Sequence, residues 1–264
     1  MFRALSTAAL GMSAQQRSVD NIANNLANVS TTGFKRSTIA FQDLFYQNIA
    51  TSKHGASANR ASNDSPALQI GNGSRAVATI RNFMQGSLSE TGNALDLAVN
   101  GPGFFQVEMP DGTIAYSRDG NFSRDATGLL VNNSVLPLAG EIEVPSDAVA
   151  IEVSQEGVVS ALMGGDNRKV ELGQIELANF SNTGGLEAKG DNLYAETEAS
   201  GMPFTGAPGS EGFGTMQQGY LEQSNVDIVN EMVRLIEAQR AYETNSKMVQ
   251  TAEDMMSVTN SIKR

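Results

Sequence analysis

Apolar side chains recur every seven residues at both ends of the chain, a spacing typical of helices that pack side by side. The N-terminal repeat comprises Leu5, Met12, Val19 and Leu26, and a second, partly polar row comprises Ala8, Gln15, Ile22 and Val29. The C-terminal repeat comprises Ile228, Leu235, Tyr242, Val249 and Met256, with an interleaved row of Met232, Gln239 and Ala252. We therefore expect two long terminal helices, ending near Gly33 and running from about Asn225 to Ser261, that pair along these rows.

Four asparagines occupy one face of the predicted N-terminal helix. Asn21, Asn24, Asn25 and Asn28 fall at positions i, i+3, i+4 and i+7. A solvated face usually carries Glu, Lys or Arg, which are better helix formers, whereas uncharged amides suit a packed environment where a bare charge is costly. We expect these amides to fix the register against other helices; the alternative is a merely solvated polar face.

The centre of the chain changes to short, two-residue alternation punctuated by glycine. Of the 26 glycines only three precede residue 71 and none follows Gly219, which indicates helical ends around a turn-rich middle. The predicted strands are residues 75–81, 104–109, 113–116, 128–131, 148–153, 157–160 and 173–178. Residues 107–116 are the clearest hairpin candidate.

These patterns predict an α+β fold with a discontinuous helical coiled-coil domain and a central, predominantly β domain. The expected boundaries are 1–33 and 221–264 for the helical domain, 34–70 for a connector, and 71–220 for the β-rich domain. Residues 50–70 are rich in Ser, Ala and Asn and include His54, Asn63 and Pro66. The pattern of residues 37–50 assigns them no secondary structure.

Composition and charge exclude several classes of partner. A formal net charge of -11 argues against nucleic acid and against an anionic membrane surface. The chain has no cysteine, so disulfides and thiolate metal sites are excluded. Polar residues interrupt the N-terminal apolar positions, and no run of about 18 apolar residues occurs, so we expect neither a cleaved signal peptide nor membrane insertion.

Catalytic chemistry finds no support in the sequence. His54 is the only histidine and lies in the connector, so a catalytic triad or a zinc site lacks its partners. Gly101-Pro-Gly103 is followed by a strand pattern and is interpreted as a turn, as are the segments that hold Asp111, Asp119 and Asp125. We therefore predict no catalytic, cofactor-binding or metal-binding residues, and a protein that is not an enzyme.

Several motifs resemble the bacterial flagellar rod and hook proteins, the axial family of the basal body. The matching segments are residues 23–36 (ANNLANVSTTGFKR), 92–107 (GNALDLAVNGPGFFQV), 219–227 (GYLEQSNVD) and 236–247 (IEAQRAYETNSK). The resemblance covers essentially the whole chain. It implies a helical domain built from both termini that lines a tubular assembly, with the β domain outside it.

The resemblance also implies a function. It favours a structural subunit of the distal rod, exported by the flagellar export apparatus without a cleaved signal, which polymerises in the periplasm into a straight tube that transmits torque from motor to hook. Proximal rod proteins, the hook protein and surrounding ring proteins are the expected partners. The connector, with His54, Asn63 and Pro66, resembles the segment that favours straightness. Alternatives are a proximal rod or hook subunit, a secreted adhesin or a carbohydrate-active protein.

The expected subunit interface combines the heptad rows with the amide face. Its residues are Leu5, Met12, Val19, Asn21, Ile22, Asn24, Asn25, Leu26, Asn28, Val29, Ile228, Met232, Leu235, Tyr242, Val249 and Met256.

Overall fold

The computed structural model describes residues 2–50, 68–140, 142–164 and 168–262. Its contacts divide the chain into two units. The helical unit contains Met1–Asn24, Ser37–Ile80 and Val229–Arg264, and the β unit contains Asn25–Arg36 and Arg81–Ile228. The connector residues His54, Asn63 and Pro66 lie outside the described residues.

Both terminal helices are present. Helix α1 spans Phe2–Ala27 and helix α2 spans Ile228–Ile262. The 35 residues of α2 give a rod about 52 Å long, well beyond the helix length usual in globular domains. Neither described helix has a segment apolar enough to cross a bilayer.

Helix α1 ends six residues earlier than predicted. Asn28 N and Val29 N donate to the carbonyls three residues back, at 3.2 and 3.3 Å, and the hydroxyl of Thr31 donates to Asn28 Oδ1. Such local bonds compete with continued α-helix. Gly33 does adopt the expected left-handed backbone, with φ of +67°, but in a turn beyond the helix.

Nineteen strands are assigned within the described residues. In chain order they are β1 (Ser37–Asp43), β2 (Gln47–Ala50), β3 (Leu68–Ile70), β4 (Ser74–Arg81), β5 (Leu88–Glu90), β6 (Leu97–Asn100), β7 (Phe104–Glu108), β8 (Ile114–Ser117), β9 (Phe122–Arg124), β10 (Leu130–Asn132), β11 (Ala148–Val153), β12 (Val158–Met163), β13 (Lys169–Gln174), β14 (Leu177–Asn179), β15 (Glu187–Gly190), β16 (Leu193–Ala195), β17 (Phe204–Gly206), β18 (Thr215–Gln218) and β19 (Tyr220–Glu222). The unassigned segment 37–50 therefore forms two strands.

In the helical unit the strands form two sheets of two strands each, β1 with β4 and β2 with β3. The β unit contains a six-stranded sheet of order β15-β16-β8-β7-β14-β17, a three-stranded sheet β11-β12-β13, and the pairs β9–β10, β6–β18 and β5–β19. The predicted hairpin is confirmed, since Val107 of β7 lies opposite Ala115 of β8. Residues 173–178, predicted as one strand, instead end β13 and begin β14.

Strand β7 lies at the centre of the β core. Phe105 belongs to a cluster that includes Phe122, Leu177 and Met216, whereas the neighbouring Phe104 belongs to a second cluster with Tyr194. Successive side chains of a strand point to opposite faces, so β7 is covered on both sides. The core of the β unit therefore continues across the six-stranded sheet.

Candidate assembly interface

Helix α2 has a covered row and an apolar exposed row on opposite sides. Glu231 and Ala238 are buried, while Val229 is 71% exposed and Met232 and Val233 are each 51% exposed. With Ile236 these exposed residues follow helical spacing, and at 100° per residue they point away from the covered row. A single copy of the chain leaves this second face in contact with solvent.

The covered row of α2 agrees with the predicted interleaved row at Ala252. At its other positions the covered row lies one residue earlier in the sequence. Ala238 and Ala252 are buried, whereas Met232 and Gln239 are exposed. The covered positions Glu231, Ala238 and Ala252 fall on one heptad row, and Met232 and Gln239 belong to the next one. The small side chains of Ala238 and Ala252 allow close approach of another element at those two positions.

The other predicted interface residues vary in exposure within one chain. Ile22 is buried; Leu5, Met12, Val19, Leu26, Val29, Leu235, Val249 and Met256 are half-buried; and Ile228 and Tyr242 are exposed. Gln15, Ser18 and Ile22 of α1 line one cavity together with Arg234 and Ala238 of α2. The role of these residues between subunits remains a prediction.

The amide face of α1 makes contacts inside the chain. Asn21 Nδ2 donates to Ser37 Oγ at 2.7 Å, which joins α1 to the start of β1. Asn28 accepts from Thr31, Asn25 is fully buried and Asn24 is exposed. At least two of the four amides thus position residues that follow the helix, a role that spacing alone did not indicate.

A buried ion pair joins residues from distant parts of the sequence in the β unit. Lys35 Nζ donates to Glu222 Oε1 at 2.5 Å and to the carbonyl oxygen of Met84 at 2.8 Å. The side chains of Lys35 and Glu222 are 0% and 1% exposed. Burial lowers the pKa of Lys35, and the Glu222 carboxylate opposes part of that shift.

A second cation, Arg118, lies on the other side of the same carboxylate. Its Nη1 donates to Glu222 Oε2 at 3.5 Å, and its Nη2 donates to the carbonyl of Gly101 at 2.7 Å. Its guanidinium lies over the ring of Phe104, 5.3 Å from the centroid. Burial lowers the pKa of Arg118 as well. Two buried cations therefore share one buried carboxylate.

Backbone bonds connect the same segments. Gly33 N donates to the carbonyl of Glu222, and Arg36 N donates to Asn225 Oδ1, both at 2.8 Å. Lys35 follows the end of α1 at Ala27 by eight residues and pairs with Glu222. The sequence patterns did not predict this cluster, although Lys35 and Glu222 both lie in the motifs that resemble the family.

The described residues form no cluster suited to a metal ion. No group of three or more His, Asp or Glu side chains among them is arranged to hold a metal ion. Asp111 and Asp119 accept hydrogen bonds from the backbone nitrogens of Thr113 and Asn121, as expected for turn aspartates. Asp125 accepts a bond from the hydroxyl of Thr127. These bonds are local to turns, and Asp119 also accepts from the hydroxyl of Thr32 at 2.8 Å, far away in the sequence.

Three family models match the chain. They are described as Flagella basal body rod protein (residues 5–35), Flagellar hook protein FlgE/F/G D1 domain (residues 98–161) and Flagellar basal body rod FlgEFG protein C-terminal (residues 217–262). The matches include α1, the central β strands and α2. They contain the charged residues Lys35, Arg118 and Glu222.

Curated relatives match over nearly their full length. The flagellar basal-body rod protein FlgG of Borreliella burgdorferi is 46% identical, covering 100% of both chains. The FlgG proteins of Buchnera aphidicola subsp. Acyrthosiphon pisum and of Bacillus subtilis are 48% and 37% identical, covering 93% and 100% of this chain and 94% and 100% of their own. The chain belongs to the flagellar basal-body rod protein family and matches its FlgG members over nearly its whole length. Like them, it is a structural protein and not an enzyme.

Proposed function

We propose that this protein is the structural subunit of the distal rod of the flagellar basal body, where it polymerises into a straight helical tube that transmits torque to the hook. The near full-length identity to FlgG rod proteins supports the rod assignment. In this proposal α1 and α2 pair as a coiled coil and interdigitate with the helices of neighbouring copies. The β unit lies on the outside of the tube.

The exposed face of α2 is the observation that carries the assembly model. Val229, Met232, Val233 and Ile236 present a continuous apolar surface opposite the covered row. A second copy of the chain is the occupant that fits, because a helical tube is built from heterologous contacts that repeat without closing. Exposed apolar patches of this kind mark interaction sites.

Torque loads every contact in the tube repeatedly. Many modest contacts in parallel distribute this load better than one strong patch, and a helix about 52 Å long provides them along its length. Truncating a single contact residue to alanine is expected to weaken the tube only in part. A charge placed in the apolar face is different, because it is buried without a partner at every repeat of the contact. The exposed amide of Asn24 would contribute to the register between copies.

The remaining partners follow from the position of a distal rod. The subunit would contact proximal rod proteins at one end, the hook protein at the other, and ring proteins around its circumference. It would reach the periplasm through the flagellar export apparatus without a cleaved signal.

An assembly assay with two aspartate substitutions tests the proposal. Val233→Asp puts a charge into the exposed apolar face, whereas Thr244→Asp puts the same charge at an exposed polar position of the same helix. We expect Val233→Asp to prevent sedimentable tubes with an unchanged circular dichroism spectrum, and Thr244→Asp to assemble. Normal tubes from Val233→Asp would contradict the proposal.

A second candidate within the same family is a proximal rod or hook subunit. The relative FlgF of Caulobacter vibrioides, also a basal-body rod protein, is 33% identical over 93% of this chain, and this identity supports the alternative. Deleting residues 51–67 from the connector distinguishes them. If the connector enforces straightness as proposed, tubes of the deletion variant curve; unchanged straight tubes would remove the role assigned to His54, Asn63 and Pro66.

A further inference from the structure

Two short segments flank the core of the β unit and meet at its charged cluster, Lys35, Arg118 and Glu222. The N-terminal segment (residues 31–36) carries Lys35 and follows α1 in sequence. The C-terminal segment (residues 220–226) carries Glu222 and precedes α2. Lys35 and Glu222 are 187 residues apart, so no local folding event brings them together.

The hydrophobic core of the β unit is built from other residues. Its three clusters, as described, draw their members from Phe83 to Met216. Arg118 comes from this central part, at the end of β8. The two segments bury few large apolar side chains of their own, namely Phe34, Leu221 and Val226. The core can therefore be complete before either segment docks on it.

The N-terminal segment has partners both in the central core and in the C-terminal segment. The core bonds it at Thr32, whose hydroxyl donates to Asp119 and whose carbonyl accepts from Asn192 Nδ2. The counterion for Lys35, however, comes from the C-terminal segment. Glu222 supplies the carboxylate for Lys35 through Oε1, and its backbone carbonyl accepts from Gly33 N. Asn225 supplies the acceptor for Arg36 N. Without these groups, the carbonyl of Met84 is the acceptor left to Lys35 among the bonds described, and a buried ammonium without a counterion is strongly disfavoured.

The C-terminal segment depends less on the N-terminal segment. Glu222 Oε1 also accepts from Gly86 N at 2.8 Å, and Oε2 faces Arg118. The backbone of the C-terminal segment pairs independently with β5, where Leu221 lies opposite Ser89. The C-terminal segment thus keeps a charge partner and a strand partner when the N-terminal segment is absent.

We propose that Glu222 gates the N-terminal segment: residues 31–36 dock on the β core only after the C-terminal segment has placed its carboxylate there. The gate ties the segment that leads from α1 to the segment that leads into α2. In a chain made from its N-terminus, Lys35 stays undocked until almost the whole β unit exists. This inference concerns the single chain and does not depend on assembly.

Hydrogen exchange measured by mass spectrometry on full-length variants tests the gate. Glu222→Gln keeps the shape of the side chain and removes its charge. We expect exchange in a peptide covering residues 28–36 to rise by roughly 100-fold or more, the size expected for an unpaired buried charge. A peptide from β7, residues 103–108, should keep its protection. Glu152→Gln is the matched control, because its partner Lys169 lies in an exposed ion pair of the same unit.

The double variant Lys35→Met/Glu222→Gln separates a charge gate from a merely structural contact. Arg118 lacks its carboxylate partner in both variants, so the difference between them reports the ammonium of Lys35 alone. Without that ammonium, protection of residues 28–36 should rise from the level of Glu222→Gln toward that of the wild-type protein. The inference is overturned if Glu222→Gln leaves residues 28–36 protected, if the double variant shows no rescue, or if β7 loses protection in parallel with the segment.

Discussion

Gly11 of α1 lies against Asn245 of α2, so closely that a Cβ atom at position 11 would be 3.0 Å from Asn245 Nδ2. Glycine inside a helix costs about 1 kcal/mol relative to alanine, so its presence at this point of close approach has a steric explanation. The two helices are thus near neighbours where glycine and a flexible amide meet.

Substitutions at Gly11 should separate helix propensity from helix contact. Gly11→Ala gains propensity and meets only the far end of a flexible side chain, so we expect a change in the free energy of unfolding within about 1 kcal/mol. Gly11→Leu forces the helices apart and should lower the temperature at which the helical circular dichroism signal is lost. Equal stability of Gly11→Leu and Gly11→Ala, measured by circular dichroism, would show that the contact does not constrain the helices.

Leu26 provides a test near the end of α1. Leu26→Asp puts a charge on a half-buried position of the heptad row and should abolish assembly while leaving the β unit folded. Ala23→Asp, at an exposed position one turn earlier, is the control and should retain much more assembly. Sedimentation of assembled material and the near-ultraviolet spectrum measure the two properties; equal loss in both variants would rule out a specific role for the row.

Gly33 should tolerate alanine less well than another glycine with positive φ. Both Gly33 (φ +67°) and Gly92 (φ +73°) adopt left-handed backbone, which costs alanine roughly 1 kcal/mol or more. A Cβ at Gly33 would also lie 2.6 Å from the backbone nitrogen of Asp119, whereas nothing lies within 4 Å at Gly92. Chemical denaturation should show the larger loss for Gly33→Ala, and a larger loss for Gly92→Ala would contradict this reasoning.

The lowered pKa of Lys35 predicts how stability changes at alkaline pH. Between the folded-state pKa and the ordinary value of 10.5, the unfolded chain binds more protons at this residue, so its contribution to stability rises with pH. Burial raises the pKa of Tyr116 and Tyr194, which acts in the opposite direction above pH 10. Both tyrosines remain in Lys35→Met, so subtracting its denaturation profile isolates Lys35. A flat difference between pH 7 and 10.5 would refute the shift.

The sequence predicted the elements that depend on local periodicity. Heptad spacing is enough to locate α1 and α2, and two-residue alternation with Pro110-Asp111-Gly112 is enough to locate the hairpin of β7 and β8. The end of α1 was misplaced because side-chain bonds at Asn28 compete with the helix, and a hydrophobic pattern does not report that competition.

The charged cluster could not be found in the same way. Lys35 and Glu222 are brought together by tertiary folding across most of the chain, and charges next to a predicted helix end have an adequate local explanation. The covered position 238 of α2 was missed for a related reason. An alanine carries little hydrophobic signal, although its small volume is what allows close packing there.

The exposed apolar face of α2 limits how much free subunit can build up in solution. Methyl groups left in water on the outer face favour self-association at any concentration above a threshold, so folded free subunits cannot accumulate indefinitely. In the tube proposed above, growth would then depend on nucleation. A copy already in place would offer the surface that a free subunit lacks, so elongation at an existing end would outrun the start of a new one.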